Sequence, residues 1–415
     1  MKVRHAIIAD DLTGAVDAAA AFAHRGFRAV VVLDPRCLRS PRGMGFPPLL
    51  KRDTGGKPGP PQIVALCTHS RHDTPDAARR KVRRACGQLR QGGYSLLFKK
   101  LDSTVQGNVV AEVEAARAGG GFAAALVCPA HPVQGRRVRG AVLHVRGAGT
   151  VHLGERFRAQ GLRASGAIEA PMSVAKISRA FARGNRFLLA HATTERELGL
   201  LVRAVRQSKH RVLLAGSAGM AGILAKQMAR GRPVAGEFQV SSLKFHPSAQ
   251  ATLIIAGSNN PVTKRQLEKL VAQTRAAVFV LDRFTGKDAA AALASGRNVV
   301  ILVPVHRQPD RMILRQLGTL APLFRSRLIG SLVLTGGDTA ALVCRGLRPL
   351  AIAIGGEIVP GIAWGRLVGG LAGGLAVCTK PGGFGGDQSL ARAVRFLAPP
   401  PAGAPTAVPW PIFRS

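Results

Sequence analysis

Residues 5–15, His5-Ala6-Ile7-Ile8-Ala9-Asp10-Asp11-Leu12-Thr13-Gly14-Ala15, decide the fold. An apolar run closes on two carboxylates and passes straight into an Ala-rich stretch that reaches about His24. Such a run reads as a strand buried on both faces, and the Ala-rich stretch reads as a helix. Gly26 suits the helix C-cap, and Phe27–Leu33 resumes as a second strand. In an open α/β sheet, ligands bind just beyond the carboxyl ends of strands. Asp10 and Asp11 stand at such an end, where a carboxylate can accept a hydroxyl proton or hold magnesium. Equally, one of them can simply cap the following helix.

The same alternation recurs outward from this unit. Gln62–Cys67 is an apolar run, and Thr74-Pro75-Asp76 then supplies an N-cap, a first-turn proline and a first-turn acid. Ser95–Phe98, Asn108–Ala118 and Phe122–Cys128 continue the pattern. Phe187–Ala190 precedes Thr194-Glu195-Arg196-Glu197, a capping box opening a helix to Gln207. Arg211–Ala215 and Ala221–Met228 add one more strand and helix. The stretch Gly231–Ser248 breaks the periodicity. Beyond it come Thr252–Ala256, a helix from Pro261 to about Thr274, and strands at Val278–Leu281, Val299–Val303 and Leu332–Leu334. Glycine is then dense from Gly355 to Gly386. The expected architecture is two α/β lobes with mainly parallel sheets and a cleft between them. The boundaries are 1–232, a linker at 233–250, 251–397, and a Pro-rich tail at 398–415.

Composition narrows the function. The 415 residues suffice for two or three domains at roughly 100–200 residues each, and the 49 Gly and 26 Pro follow no collagen period. No apolar run reaches the roughly 18 residues of a membrane span. Asp10 and Asp11 interrupt the apolar stretch near the N-terminus, so no secretory leader is expected. Six cysteines form no CxxC pair, which fits reduced thiols and a cytoplasmic setting. The net charge of +37 suggests anionic partners. Yet the basic residues are dispersed, most are Arg, and aromatic platforms are scarce, so no specific nucleic-acid partner and no membrane is expected.

The polar motifs cluster at strand ends. Thr68-His69-Ser70-Arg71 offers a hydroxyl and a guanidinium suited to a carboxylate. Lys99-Lys100-Leu101-Asp102-Ser103-Thr104 combines cations, a carboxylate and hydroxyls, as phosphoryl transfer requires. In the second half, Gly257-Ser258-Asn259-Asn260-Pro261 and Gly336-Gly337-Asp338-Thr339-Ala340 each join a strand to a helix, where backbone N–H groups can face a phosphate. Lys380-Pro381-Gly382-Gly383-Phe384-Gly385 closes the glycine-rich region. No Walker loop and no dinucleotide fingerprint is present.

In order and together, these motifs resemble the four-carbon acid sugar kinase family, from Ile7 to about Leu390. The opening Asp10–Ala15 with Asp17, the tract Lys99–Thr104 with Gly107-Asn108, and Pro129-Ala130-His131-Pro132 with Gly135-Arg136 carry the match in the first half. Gly257-Ser258, Thr263, Gln266, Gly336–Ala340, Pro360-Gly361 and Lys380–Gly385 carry it in the second. The resemblance implies an ATP- and Mg2+-dependent kinase acting on a terminal hydroxyl of threonate, erythronate or 3-oxo-tetronate. The sugar acid would bind the first lobe and ATP the second, with a homo-oligomer possible. Asp11 and Asp102 are implied as catalytic, and Asp10, Arg71, Lys100, Leu101, Asp102, Ser103 and Arg136 as substrate contacts. Ser258, Gly337, Asp338, Pro360, Gly361, Ile362, Ala363, Lys380, Gly382 and Gly383 are implied as nucleotide contacts, and the metal ligands are left open. Arg136 can neutralise the transferring phosphoryl or serve the turn it sits in.

Four departures bear on the substrate. Gln106 stands where the family pattern carries Arg, His191 replaces an acid, Asn259-Asn260 replace smaller residues, and Val151–Met172 fits the pattern poorly. They leave room for a ligand-sensing pseudokinase, or for a basic nucleic-acid-binding protein on the same scaffold.

Overall fold

The computed structural model describes residues 4–38, 60–162, 166–168, 175–176, 179–180, 184–230, 251–283, 286–304 and 309–398. The expected linker at 233–250, the tail beyond 398 and part of Val151–Met172 lie outside the described residues. In chain order the first lobe contributes β1 (His5–Ala9), β2 (Ala29–Val32), β3 (Ile63–Cys67), β4 (Ser95–Lys100) and β5 (Ala124–Cys128). A small antiparallel sheet follows, of β6 (Arg136–Arg139), β7 (Val142–Val145) and β8 (Gly149–His152). Then come β9 (Gly166–Ile168), β10 (Phe187–Ala190) and β11 (Val212–Gly216). The second lobe supplies β12 (Ala251–Ala256), β13 (Ala277–Val280), β14 (Val299–Leu302), β15 (Ile329–Thr335), β16 (Ala351–Val359), β17 (Ile362–Val368) and β18 (Ala376–Lys380).

The two lobes are halves of one sheet. Its 15 strands run β13-β14-β12-β15-β18-β17-β16-β2-β3-β1-β4-β11-β5-β10-β9. Every neighbouring pair is parallel except at the junction, where β18 meets β17, β17 meets β16 and β16 meets β2 in antiparallel fashion. Three such steps reverse the sense of the second parallel block. Across that junction the ends of β1 and β15 nevertheless come together, for Asp11 stands beside Gly337. The seam itself is short: Val30, Val31 and Val32 pair with Ala353, Ile352 and Ala351. The helix Leu12–Ala23 packs over it, against β16 as well as its own lobe.

Local chemistry sets the element ends. Asp11 is the N-cap of the first helix, its side chain accepting from Gly14 N. That helix stops at Ala23, within a residue of the expected end, with right-handed His24 rather than Gly26 as its cap. Gly26, at φ 78°, instead makes the turn toward β2. Thr74 caps Pro75–Gln91, and Thr194 with Glu197 forms the expected capping box on Glu195–Gln207. Caps of this kind contribute about 1 kcal/mol each.

The β16–β17 hairpin is the feature that the glycine density conceals. Gly355 is in a strand because the indole of Trp364 occupies the space a Cβ would take. Gly365 likewise faces the carbonyl of Ala353 across the ladder. All six cysteines are free, and five are buried. Among the described residues no helix is long and apolar enough to cross a membrane.

Candidate active site

Three strand ends of the first lobe meet at Arg71. Its Nε donates to Asp10 Oδ2 at 2.7 Å, and its Nη2 lies 3.0 Å from Asp11 Oδ1 and 3.6 Å from Asp102 Oδ2. Burial disfavours the guanidinium charge, but Asp11, Asp10 and Asp102 overcome it and raise the arginine above its ordinary value. Burial likewise opposes the Asp10 charge, yet Arg71, Lys99 and Lys100 hold that carboxyl below the usual range. Asp10 Oδ1 is buried without a hydrogen-bond partner. Asp11 accepts from Thr13 Oγ1 at 2.7 Å and from Gly14 N at 2.9 Å. Asp102 is committed locally: its Oδ1 accepts from Thr104 N at 2.8 Å and Thr104 Oγ1 at 2.5 Å.

The two lysines of β4 have different surroundings. Lys99 is fully buried and pairs with Glu112 Oε2 at 2.8 Å, while Ser70 Oγ donates to Glu112 Oε1 at 2.7 Å. Removing one member of such a buried pair costs about 3–5 kcal/mol. Lys100 donates to Leu101 O at 2.8 Å, and its Nζ stands beside Asp11 Oδ1 around Gly14. A narrow crevice, too tight to admit a water molecule, is lined by Asp10, Leu101, Asp102, Gln106, Asn108 and Glu112 among others. Ser103 is buried next to it in sequence.

The second lobe presents a clamped glycine loop. Lys380 Nζ donates to Thr263 Oγ1 at 3.1 Å and to the carbonyls of Pro381 and Gly382 at 2.9 Å each. Burial pushes this ammonium down to about 7. Thr263 Oγ1 donates to Gly382 O at 2.7 Å, and Gln266 Nε2 reaches the carbonyls of Phe384, Gly385 and Gly386 at 2.8–3.2 Å. A Cβ on Gly382 would run into Ser258 Oγ, whereas one on Gly383 would meet only the Asn260 amide at 3.3 Å. Asn260 caps the helix Pro261–Thr274. Ser258, Gly382 and Gly383 are therefore together. Pro360 and Gly361 form the β16–β17 turn, while Ile362 and Ala363 are buried in β17, Ile362 paired with Val359 and Ala363 with both Glu357 and Thr379.

The halves touch across the cleft. A Cβ on Gly337, at the start of the helix Gly337–Leu347, would sit 2.8 Å from Asp11 Oδ2. Exposed Asp338 lies 3.4 Å from His72 Nε2, and Gln134 Nε2 donates to Pro360 O at 3.2 Å. Burial, with Lys100 and Arg136 nearby, pushes His131 down to about 3. Glu112 and Glu357 escape sequence reasoning. Glu112 is the one acid on the buried side of Val109–Gly119, a signal legible in the spacing of Val109, Val113 and Ala116. Glu357 sits in a strand the glycines conceal.

Comparison with known proteins identifies these halves. Residues 5–160 match the family model of a sugar-binding N-terminal domain, and residues 253–390 that of a nucleotide-binding C-terminal domain. The chain belongs to the four-carbon acid sugar kinase family. This kinase is 29% identical over 411 residues to the D-threonate kinase of Bordetella bronchiseptica, covering 94% of this chain and 96% of the relative. It is 26% identical over 449 residues to the 3-oxo-tetronate kinase of Cupriavidus necator, with 94% and 96% covered. A solved structure from Salmonella typhimurium LT2 shares the kinase's fold, with TM-score 0.72 at 21% identity over 95% of this chain and 99% of that one.

Proposed function

We propose that the protein transfers the γ-phosphoryl group of ATP to a terminal hydroxyl of a four-carbon acid sugar of the threonate, erythronate or 3-oxo-tetronate class. The observation that carries this reading is the approach of Asp11, a strand-end carboxylate of the sugar lobe, to Gly337 at a helix start of the nucleotide lobe. A hydroxyl bound beside this contact has a proton acceptor in Asp11 and, at the helix start, backbone N–H donors for phosphate. The hydroxyl oxygen bonds to the γ-phosphorus, the bond to the ADP oxygen breaks, and Asp11 takes the proton.

Lys100 and Arg71 hold the substrate carboxylate, with the unpartnered Asp10 Oδ1, Leu101, Asp102 and Ser103 beside its hydroxyls. Ser258, Gly382, Gly383 and the Gly336-Gly337-Asp338 turn receive the phosphates. Pro360 and Gly361 border them, while Ile362, Ala363 and Lys380 hold the loop from behind. The sugar lobe extends over 1–232 and the nucleotide lobe over 251–397.

Among the described residues no group of three or more His, Cys, Asp or Glu side chains is placed to hold a metal. Magnesium keeps several waters and is usually bound by substrate phosphates with one or two carboxylates, so it needs no such cage. Exposed Asp338 at the cleft fits that requirement, and the ion would shield phosphate charge.

Purified protein with ATP and magnesium, offered D- and L-threonate, D- and L-erythronate and 3-oxo-tetronates, should release ADP with at least one of them. No ADP above the acid-free background with any member, from folded protein, would overturn the reading.

A further inference from the structure

Phe384 belongs to one lobe by its main chain and to the other by its side chain. Its carbonyl accepts from Gln266 Nε2 at 3.1 Å, and its N–H donates to Pro381 O at 3.2 Å, which fixes it in the glycine loop. Its ring leaves that loop. The Arg136 guanidinium carbon stands 5.1 Å from the ring centroid, and the His131 ring is 6.3 Å away. Both residues come from the sugar lobe. On its own side the ring lies against Gly361, at φ 79°, in the space a Cβ would need.

Arg136 has capacity to spare. Its Nη1 donates to Gln134 O at 2.5 Å, while its Nε is buried without an acceptor. Gln134 in turn donates to Pro360 O, so the same short loop grips the hairpin turn. A guanidinium over an aromatic face within about 6 Å is held by the ring quadrupole without using up its N–H donors.

Building on the kinase reading, we propose that Phe384 is a positioning residue. It holds Arg136 in the cleft and so makes nucleotide and acid-sugar binding depend on one another. A phosphate bound on the clamped Gly382–Gly386 loop fixes the ring, and with it Arg136, whose charge is felt by Asp102 of the sugar lobe. Reciprocity requires the same coupling factor whichever ligand is added first.

The experiment measures, on the full chain by calorimetry, the affinity of the β,γ-imido analogue of ATP with and without a saturating tetronate. The tetronate is the one that supports the fastest turnover. The wild-type ratio should be about fivefold or more, within the usual range of such couplings. Phe384→Leu keeps the apolar bulk and should bring the ratio close to one. Phe384→Tyr keeps the aromatic face and should restore it. Arg136→Met should abolish the ratio alone and add nothing in the Phe384→Leu background. A ratio near one in the wild type, or full coupling in Phe384→Leu, would overturn the proposal. Failure of the kinase reading is visible separately, as no turnover by the wild type with any tetronate, and this proposal would fall with it.

Discussion

Asp11 Oδ2 and the α-carbon of Gly337 face each other across the lobe boundary so closely that a single methyl group on Gly337 would lie 2.8 Å from the carboxylate. Neither partner is free to retreat. Asp11 is pinned by Thr13, Gly14 and Arg71, and Gly337 opens a helix whose body packs on the first lobe's own helix.

Gly337→Ala therefore loads the lobe junction directly. The added methyl meets a carboxylate that cannot move away, so the melting temperature should fall or at best hold, despite alanine's advantage of about 1 kcal/mol as a helix former. Turnover should fall by about tenfold or more, because even a displacement of about 1 Å at a reacting centre is costly. Unchanged kcat/KM in steady-state assays would show that the lobes do not close on this contact.

Asp11→Asn retains the cap but loses the carboxylate proposed as the proton acceptor. We expect turnover to fall about 100-fold or more while both ligands still bind. Asp102→Asn should lose less, and mainly in the sugar KM, since Asp102 Oδ1 is already taken by Thr104. The reverse ranking of the two variants would move the catalytic base to Asp102.

The glycine loop discriminates between neighbours. Gly382→Ala must displace the Ser258 hydroxyl, and the KM for ATP should rise with little change for the sugar. Gly383→Ala presses on the capping amide of Asn260 by only a few tenths of an ångström and should raise that KM less than Gly382→Ala does. Equal effects would mean that Ser258 does not contact nucleotide.

The hairpin carries a pH signature. Burial, with Asp17 nearby, pushes Glu357 from 4.5 up to about 8. Asp17 is itself raised by burial to about 6, against the pull of Lys100. A carboxyl raised in the fold contributes stability that is full below its unfolded value and is lost as pH climbs through its folded one. Urea midpoints should thus decline from about pH 4.5 to 8, and Glu357→Gln, fixed in the neutral shape, should flatten that decline. Parallel curves for wild type and variant would exclude Glu357 as its source.

Much of this was legible in the chain. The apolar runs at β1, β3, β5 and β12 and the caps at Asp11, Thr74 and Thr194 announce themselves by composition and spacing. So do the polar strand ends at Asp10–Asp11, Arg71 and Lys99–Thr104. What stayed hidden depends on partners distant in sequence. Gly355 and Gly365 read as loop until Trp364 and Ala353 are seen filling their missing side chains. Arg71 reads as a substrate cation, and its three carboxylate neighbours emerge only when β1, β3 and β4 lie side by side. Lys380 reads as a phosphate ligand, while its three bonds to Thr263, Pro381 and Gly382 make it a brace for the loop.

The three-residue seam between β2 and β16 makes the covalent link between the lobes redundant as a fastener. A chain severed between Arg230 and Ala251 would yield two pieces that still recognise each other along a strand edge and beneath the helix Leu12–Ala23. Either piece alone would display β2 or β16 as a bare edge, open to pairing with any other exposed strand. The halves are thus modules in chemistry but not in assembly, and neither can be shuffled into a new protein without bringing a mate for its edge.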